Sequence, residues 1–393
     1  MNQPTRFLCP RLLRPDFTIA DDAILDIDAR GKIAFVGAAA DAPVVDTPKV
    51  QLRGLVMPGL VNTHCHTPMT IIRSAGDGLN LNDWLNDEIW PREGRLTDEG
   101  VYWGQTLGMA EMLRAGVTTT CEMYLFEEPV IEATVASGAR LVTTPGMIDV
   151  LHGGDFPGRV QQLVDLHERW HKPDEGVSIG FGPHSSYTLS PDHLRLVVEA
   201  AIGLDAVFNI HLEETAAERD MVIATHGKSA TQLLADLGAL EARVLAAHGV
   251  WLSASDLALL GEAQAAVTHC PASNLKLGSG FADIRAWRDA GVLAVLGTDG
   301  PASNDSLDLW YELKLAPSLA RGLRHDPGAI SSVDALRMAT VDGGRALGLD
   351  DVGSLAVGFH ADFIVVDLDD PALLPATSDT ELLTHLVFSG SAV

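Results

Sequence analysis

The sequence predicts an α/β protein, a (β/α)8 TIM-type barrel with a small flanking β domain, from three observations. Between residues 58 and 350, short apolar β-type runs alternate with helical ones, and there are eight such runs. No Gly-x-Gly-x-x-Gly follows an early strand, which disfavours a doubly wound open sheet. Strand-like segments at both ends of the chain stand outside the alternation.

In chain order, Ala23–Asp28 and Lys32–Gly37 form a hairpin pattern turning at Ala29-Arg30-Gly31. These belong to the N-terminal part of the small domain, residues 1–57. The barrel, 58–350, takes its strands from 55–64, 117–123, 141–148, 177–183, 206–211, 243–248, 264–269 and 292–298. Between them, 97–115 is a helix: Thr97 is its cap, Asp98 and Glu99 favour its N-terminal dipole, and Gly116 stops it. Further helices begin after Ser190-Pro191, at Ser253 and near Asp305. The run Ala361–Asp367 is a last strand within 351–393, expected to join the N-terminal strands in a β-sandwich.

With 393 residues, 47% hydrophobic and only 20% charged, the chain can bury the core of a large enzyme. Its formal net charge of −26, without a basic cluster, repels phosphate backbones, so neither nucleic acid nor an anionic membrane is an expected partner. Cys9, Cys65, Cys121 and Cys270 are widely spaced with no Cys-x-x-Cys, as suits a reducing cytoplasm. The N-terminus has no signal-peptide core, and a cytoplasmic location is expected.

The chemistry gathers at strand ends. The first strand runs into His64-Cys65-His66, and residues two apart on a strand point to one side. The fourth ends in His184, the fifth in His211 followed by Glu213-Glu214, the sixth in His248 and the eighth in Asp299. In a barrel these ends form one rim, where the βα loops converge. Three imidazoles and a carboxylate suit one divalent ion, zinc first and iron(II) or manganese(II) next, with a position left for water whose pKa the ion lowers. Glu214 is placed to act as general acid and base, or simply to favour a helix dipole.

The motifs MPGLVNTHCHTPMT, DWLNDEIWPREGRLT, GFGPHSSYTLS, NIHLEET, AAHGVWLS, THCPASNLKLGSG and GTDGPASNDSLDLW resemble the amidohydrolase superfamily. Within it the likeness is to the S-adenosylhomocysteine/5′-methylthioadenosine deaminase branch, beside chlorohydrolases and guanine deaminases. The resemblance implies His64, His66, His211 and Asp299 as metal ligands and His248 beside the reacting carbon. It also implies Glu214 as proton carrier, Glu93 on the ribose hydroxyls and His184 as a substrate contact. His269 reads as packing behind the site. Relatives that take a homocysteine carboxylate carry arginines after strands three and four; here Thr143-Thr144-Pro145-Gly146 has none, and Arg159 is the one candidate. They also carry a further small-domain strand beyond the position of Val393.

The function so implied is metal-dependent hydrolytic deamination of an adenine nucleoside, a small-molecule partner, with homo-oligomer formation left open. The enzymatic alternative is another ring: guanine, a pterin, aminofutalosine or an s-triazine chloride. A non-catalytic metal-binding scaffold is the alternative from another class, opposed by the retention of every ligand position and of Glu214.

Overall fold

Two four-stranded parallel sheets carry the alternating strands in the computed structural model, which describes residues 3–391. The first has Leu60–Cys65, Val117–Glu122, Arg140–Thr143 and Val177–Ile179 as successive neighbours. The second has Val207–Leu212, Arg243–His248, Ala266–His269 and Leu293–Leu296. Every one of these pairings joins strands consecutive in the barrel and runs parallel. Burial on both faces explains why the strands read as continuous apolar runs rather than alternating ones.

The sheets meet at two seams. At one, the Phe181 N–H donates to the Val207 carbonyl at 2.8 Å and the Asn209 N–H to the Phe181 carbonyl at 2.9 Å. At the other no ladder forms between Leu293–Leu296 and Leu60–Cys65. Side chains and one backbone bond join them: the Thr63 hydroxyl donates to the Leu296 carbonyl at 2.8 Å, the Thr298 N–H to Asn62 Oδ1 at 3.0 Å and the Asp299 N–H to the His64 carbonyl at 3.0 Å. The ring of hydrogen-bonded strands is therefore interrupted there.

Three expected strands are broken, each with a local cause. The run 55–64 divides at Gly59, where a Cβ would lie 2.1 Å from Thr118 Oγ1. Leu55–Pro58 joins the small sheet and Leu60–Cys65 the barrel. In 141–148 Pro145 has no N–H to continue a ladder. In 177–183 the break falls at Gly180-Phe181, where Phe181 turns to bridge to the next strand at Val207–Asn209. The remainders, Gly146–Met147 and Gly182–Pro183, pair separately.

The flanking domain differs from the expected sandwich. Among the described residues it is one six-stranded sheet, ordered Phe363–Val366, Leu55–Pro58, Thr5–Leu13, Ile19–Ile27 and Ile33–Ala38, with Lys49–Gln51 also on Thr5–Leu13. Its apolar face buries Cys9, Leu12, Leu25, Ile33 and Val56 with Leu355. The C-terminal segment supplies a single strand to it. The segment then folds as helix Asp379–Ser389 on the helices Leu309–Arg324 and Ser332–Met338. Ala392 and Val393 lie outside the described residues.

The expected helix caps form. Thr97 accepts the Gly100 N–H at the start of Asp98–Arg114, and Ser190 accepts the His193 N–H at the start of Pro191–Gly203. Ser253 makes a capping box with Asp256. No helix among the described residues is long and apolar enough to cross a membrane.

Candidate active site

The carboxyl ends of both parallel sheets surround one cavity. His66, Glu93, His184, His211, Glu214, His248 and Asp299 line it together with Met69, Trp84, Ile89, Trp90, Met123, Tyr124 and Leu277. His64 lies fully buried beneath, its ring 4.9 Å from those of His66 and His211.

Each imidazole is aimed by a hydrogen bond at its other nitrogen or by packing. His66 Nδ1 meets the Met123 carbonyl at 2.5 Å, which turns Nε2 towards Asp299 Oδ1, 3.2 Å away. His211 Nδ1 meets the His184 carbonyl at 2.8 Å, and its Nε2 lies 3.3 Å from His66 Nε2. Neither ring nitrogen of His64 has a hydrogen-bond partner, although both are buried, and its Nε2 is 3.7 Å from Asp299 Oδ1. Asp299, with φ of 60°, is held through Oδ2 by the Ser273 and Ser303 hydroxyls at 2.6 and 2.9 Å. Oδ1 is thereby left facing the histidines.

These donors fit a divalent ion. A buried imidazole with two unpartnered nitrogens is costly without something to ligate, and facing Nε2 atoms 3.3 Å apart cannot both carry protons. Ligand atoms of His64, His66 and Asp299 lie within 4.8 Å of one another, as do those of His64, His211 and His248. The field at this point favours positive charge. Against the cost of burial, His66 holds the Asp299 pKa well below the carboxylate range, and Asp299 in turn pushes His66 up to about 9. Burial and neighbouring imidazoles hold His64 and His211 in their neutral, ligating form.

His248 and Glu214 stand at the edge of this cluster. His248 Nδ1 is 2.9 Å from Asn274 Oδ1, and its Nε2 faces Glu214 Oε2 at 3.7 Å. The other Glu214 oxygen receives the Ser279 hydroxyl at 3.4 Å. Burial raises the Glu214 pKa, and His248 acts against that rise. A carboxyl group raised in this way is suited to giving and taking protons near neutrality.

Glu93 ends the short helix Trp90–Glu93 and turns a half-buried carboxylate towards the cavity, where burial raises its pKa and Tyr124 lowers it. The Tyr124 hydroxyl is buried beside it without a well-formed hydrogen bond. His184, whose burial pushes its pKa down to about 3, presents a neutral ring 4.6 Å from that of His211. His269 ends strand Ala266–His269 against Trp287, ring centroids 5.8 Å apart, with both ring nitrogens buried and without a hydrogen-bond partner.

Arg159 is the expected site residue that the fold takes elsewhere. It sits on helix Phe156–Trp170, ion-paired with Glu127, and lines an adjoining cleft that shares only Leu125 with the cavity. Residues the sequence did not single out include Asn274 and Ser273, within the quoted CPASN motif, and Ser303. Glu218 was also missed, although the spacing Thr215-x-x-Glu218 is a capping signature.

Strand ends delivering imidazoles and carboxylates to one rim define an α/β enzyme with a candidate metal centre. The chain belongs to the amidohydrolase family, whose model matches residues 55–393. It is 40% identical to the 5-methylthioadenosine/S-adenosylhomocysteine deaminase of Moorella thermoacetica over 88% of this chain and 81% of that one. The enzyme of that name from Pyrococcus furiosus is 38% identical over 95% of this chain and 89% of its own length. Among solved structures, a zinc-bound adenosine deaminase from Xanthomonas campestris superposes with a TM-score of 0.91 at 32% identity, covering 99% of this chain and 89% of that one.

Proposed function

We infer that this chain is a metal-dependent hydrolytic deaminase that converts an adenine nucleoside into the inosine-type product and ammonia. The observation that carries the reading is the buried Glu214 carboxylate facing His248 at the edge of the histidine–aspartate cluster. The deaminase names of its relatives support it.

His64, His66, His211 and Asp299 would hold one divalent ion, and zinc suits three imidazoles and a carboxylate. When bound there, such an ion supplies Lewis acidity and makes water a nucleophile at neutral pH. The chain's own groups do the rest. Asp299 Oδ1 takes the proton of the attacking water, and His248 Nε2 hydrogen-bonds the oxygen as it adds to C6. Glu214 delivers a proton to the adjacent ring nitrogen; Asp299 then passes the proton it took to the amino group, which leaves as ammonia while the C6 hydroxyl returns a proton to Glu214. Glu93 accepts the ribose 2′- and 3′-hydroxyls, while His184 contacts the substrate as a neutral ring. The scaffold we assign is a (β/α)8 barrel over 58–350 with the small β domain formed from the two ends; the order of the strands supports it.

A side-by-side assay of adenosine, methylthioadenosine, S-adenosylhomocysteine and guanine tests the reading by ultraviolet change and ammonia release. Nucleoside turnover is the expected result. Turnover of guanine or a chlorotriazine alone would move the enzyme to the other ring class.

A further inference from the structure

The turn that carries Glu214 is held by a buried carboxylate with no part in the mechanism above. Strand Val207–Leu212 ends, Glu213 takes a φ of 50°, and helix Ala216–His226 begins at its cap Thr215. Glu218 is the third residue of that helix. Its N–H donates to Thr215 Oγ1 at 3.1 Å, as in a capping box. Its carboxylate, however, passes the cap residue. Oε1 accepts the Glu213 N–H at 3.1 Å and Oε2 the Glu214 N–H at 2.8 Å. Both peptide units flanking the left-handed Glu213 are thus tied to one side chain that is 4% exposed.

The arrangement is expensive unless it has a use. Glu213, Glu214 and Glu218 are all buried within six residues, and the nearest cation, Arg219, is 3.9 Å from Glu213. An apolar or amide residue would fill the space without concentrating acidic groups. Burial and the neighbouring Glu214 push the Glu218 pKa up to about 8, and the Glu214 and Glu213 N–H groups work against that rise. A left-handed non-glycine residue persists only where its surroundings enforce it, and here the two N–H bonds do so. They fix the backbone from which the Glu214 side chain starts. Small displacements of a proton carrier are costly in rate, because proton transfer needs hydrogen-bond reach.

We propose that Glu218 is a positioning residue for Glu214: its carboxylate, bridging the Glu213 and Glu214 N–H groups, holds the Glu214 carboxylate in proton-transfer register. This rests on the role given to Glu214 above, but not on the identity of the ring it acts upon. Glu218 does not itself line the cavity and meets it through the Glu214 backbone, so its effect is expected in kcat and not in KM or metal content.

The test is a double-mutant cycle in the full-length, metal-loaded enzyme: wild type, Glu218→Gln, Glu214→Gln and the double variant. Glu218→Gln replaces one acceptor oxygen with a donor that faces an N–H. It should lower kcat about 10-fold or more with KM within about threefold and unchanged metal content. In the Glu214→Gln background it should change kcat less than about twofold, because the group it positions no longer carries a proton. Glu218→Asp, which keeps a carboxyl group but shortens the reach, should fall between wild type and Glu218→Gln, and it takes the same place in the cycle if the glutamine variant does not fold. Multiplicative losses in the double variant, a loss confined to KM or metal, or wild-type kcat for Glu218→Gln would each overturn the proposal. If wild type ignores adenine nucleosides, the substrate reading fails by itself, and the cycle is read on whichever ring the enzyme hydrolyses.

Discussion

The central cavity and the cleft beside it share Leu125 in their walls, yet they handle charge differently. The cavity walls contain no lysine or arginine; histidines and the carboxylates of Glu93, Glu214 and Asp299 are their ionisable groups, together with tyrosines. The cleft contains Arg159 and Arg169, and both are ion-paired, with Glu127 and Glu128. Positive charge in the cavity is thus left to histidine and to what histidine can ligate, while each of the cleft's two arginines already has a carboxylate partner. A ring to be protonated and hydrolysed suits the first environment. A substituent bearing a carboxylate finds no free cation in the second.

The largest expected effect concerns the cavity floor. Dialysis against a chelator should abolish turnover, and added zinc should restore it; a protein shown by elemental analysis to be metal-free yet fully active would remove the basis of the contrast. Next is Glu214→Gln, which keeps shape but removes the titrating group. Turnover should drop on the order of 10²–10⁴-fold with the metal retained, and unchanged turnover would reduce Glu214 to a charge at a helix start.

Glu93→Ala probes the cavity wall. Loss of a hydrogen-bond acceptor for two ribose hydroxyls should cost nucleosides about 1–3 kcal/mol in kcat/KM, and free adenine little. An equal effect on adenine and adenosine would refute the clamp. The smallest effect belongs to the cleft. Methylthioadenosine should rival or exceed S-adenosylhomocysteine in kcat/KM. Glu127→Gln, by releasing Arg159, should raise the S-adenosylhomocysteine-to-methylthioadenosine ratio about two- to fivefold, the scale of a single partly exposed ion pair. A wild-type enzyme strongly favouring the carboxylate-bearing substrate would erase the distinction between the two concavities.

Much of this molecule was legible in its sequence, because the relevant signals are local. Apolar runs at barrel spacing marked the strands, Thr97, Ser190 and Ser253 marked helix starts, and the residue after each apolar run named the chemistry of the rim. His64, His66, His184, His211, Glu214, His248 and Asp299 converge for that reason: parallel strands in register bring their carboxyl ends to one face. Tertiary structure decided what depends on distant neighbours. Gly59 and Gly182 pass close to Thr118 and Thr144, and Phe181 bonds across to Val207, within runs that read as continuous. The last helix packs on Leu309–Arg324 and Ser332–Met338. Glu127 claims Arg159, and Glu218 reaches past its expected partner to two N–H groups of the preceding turn. A sequence states which groups can bond. Which partner each one takes is settled by the packing that excludes water and leaves a buried charge or N–H only the neighbour the fold has put within reach.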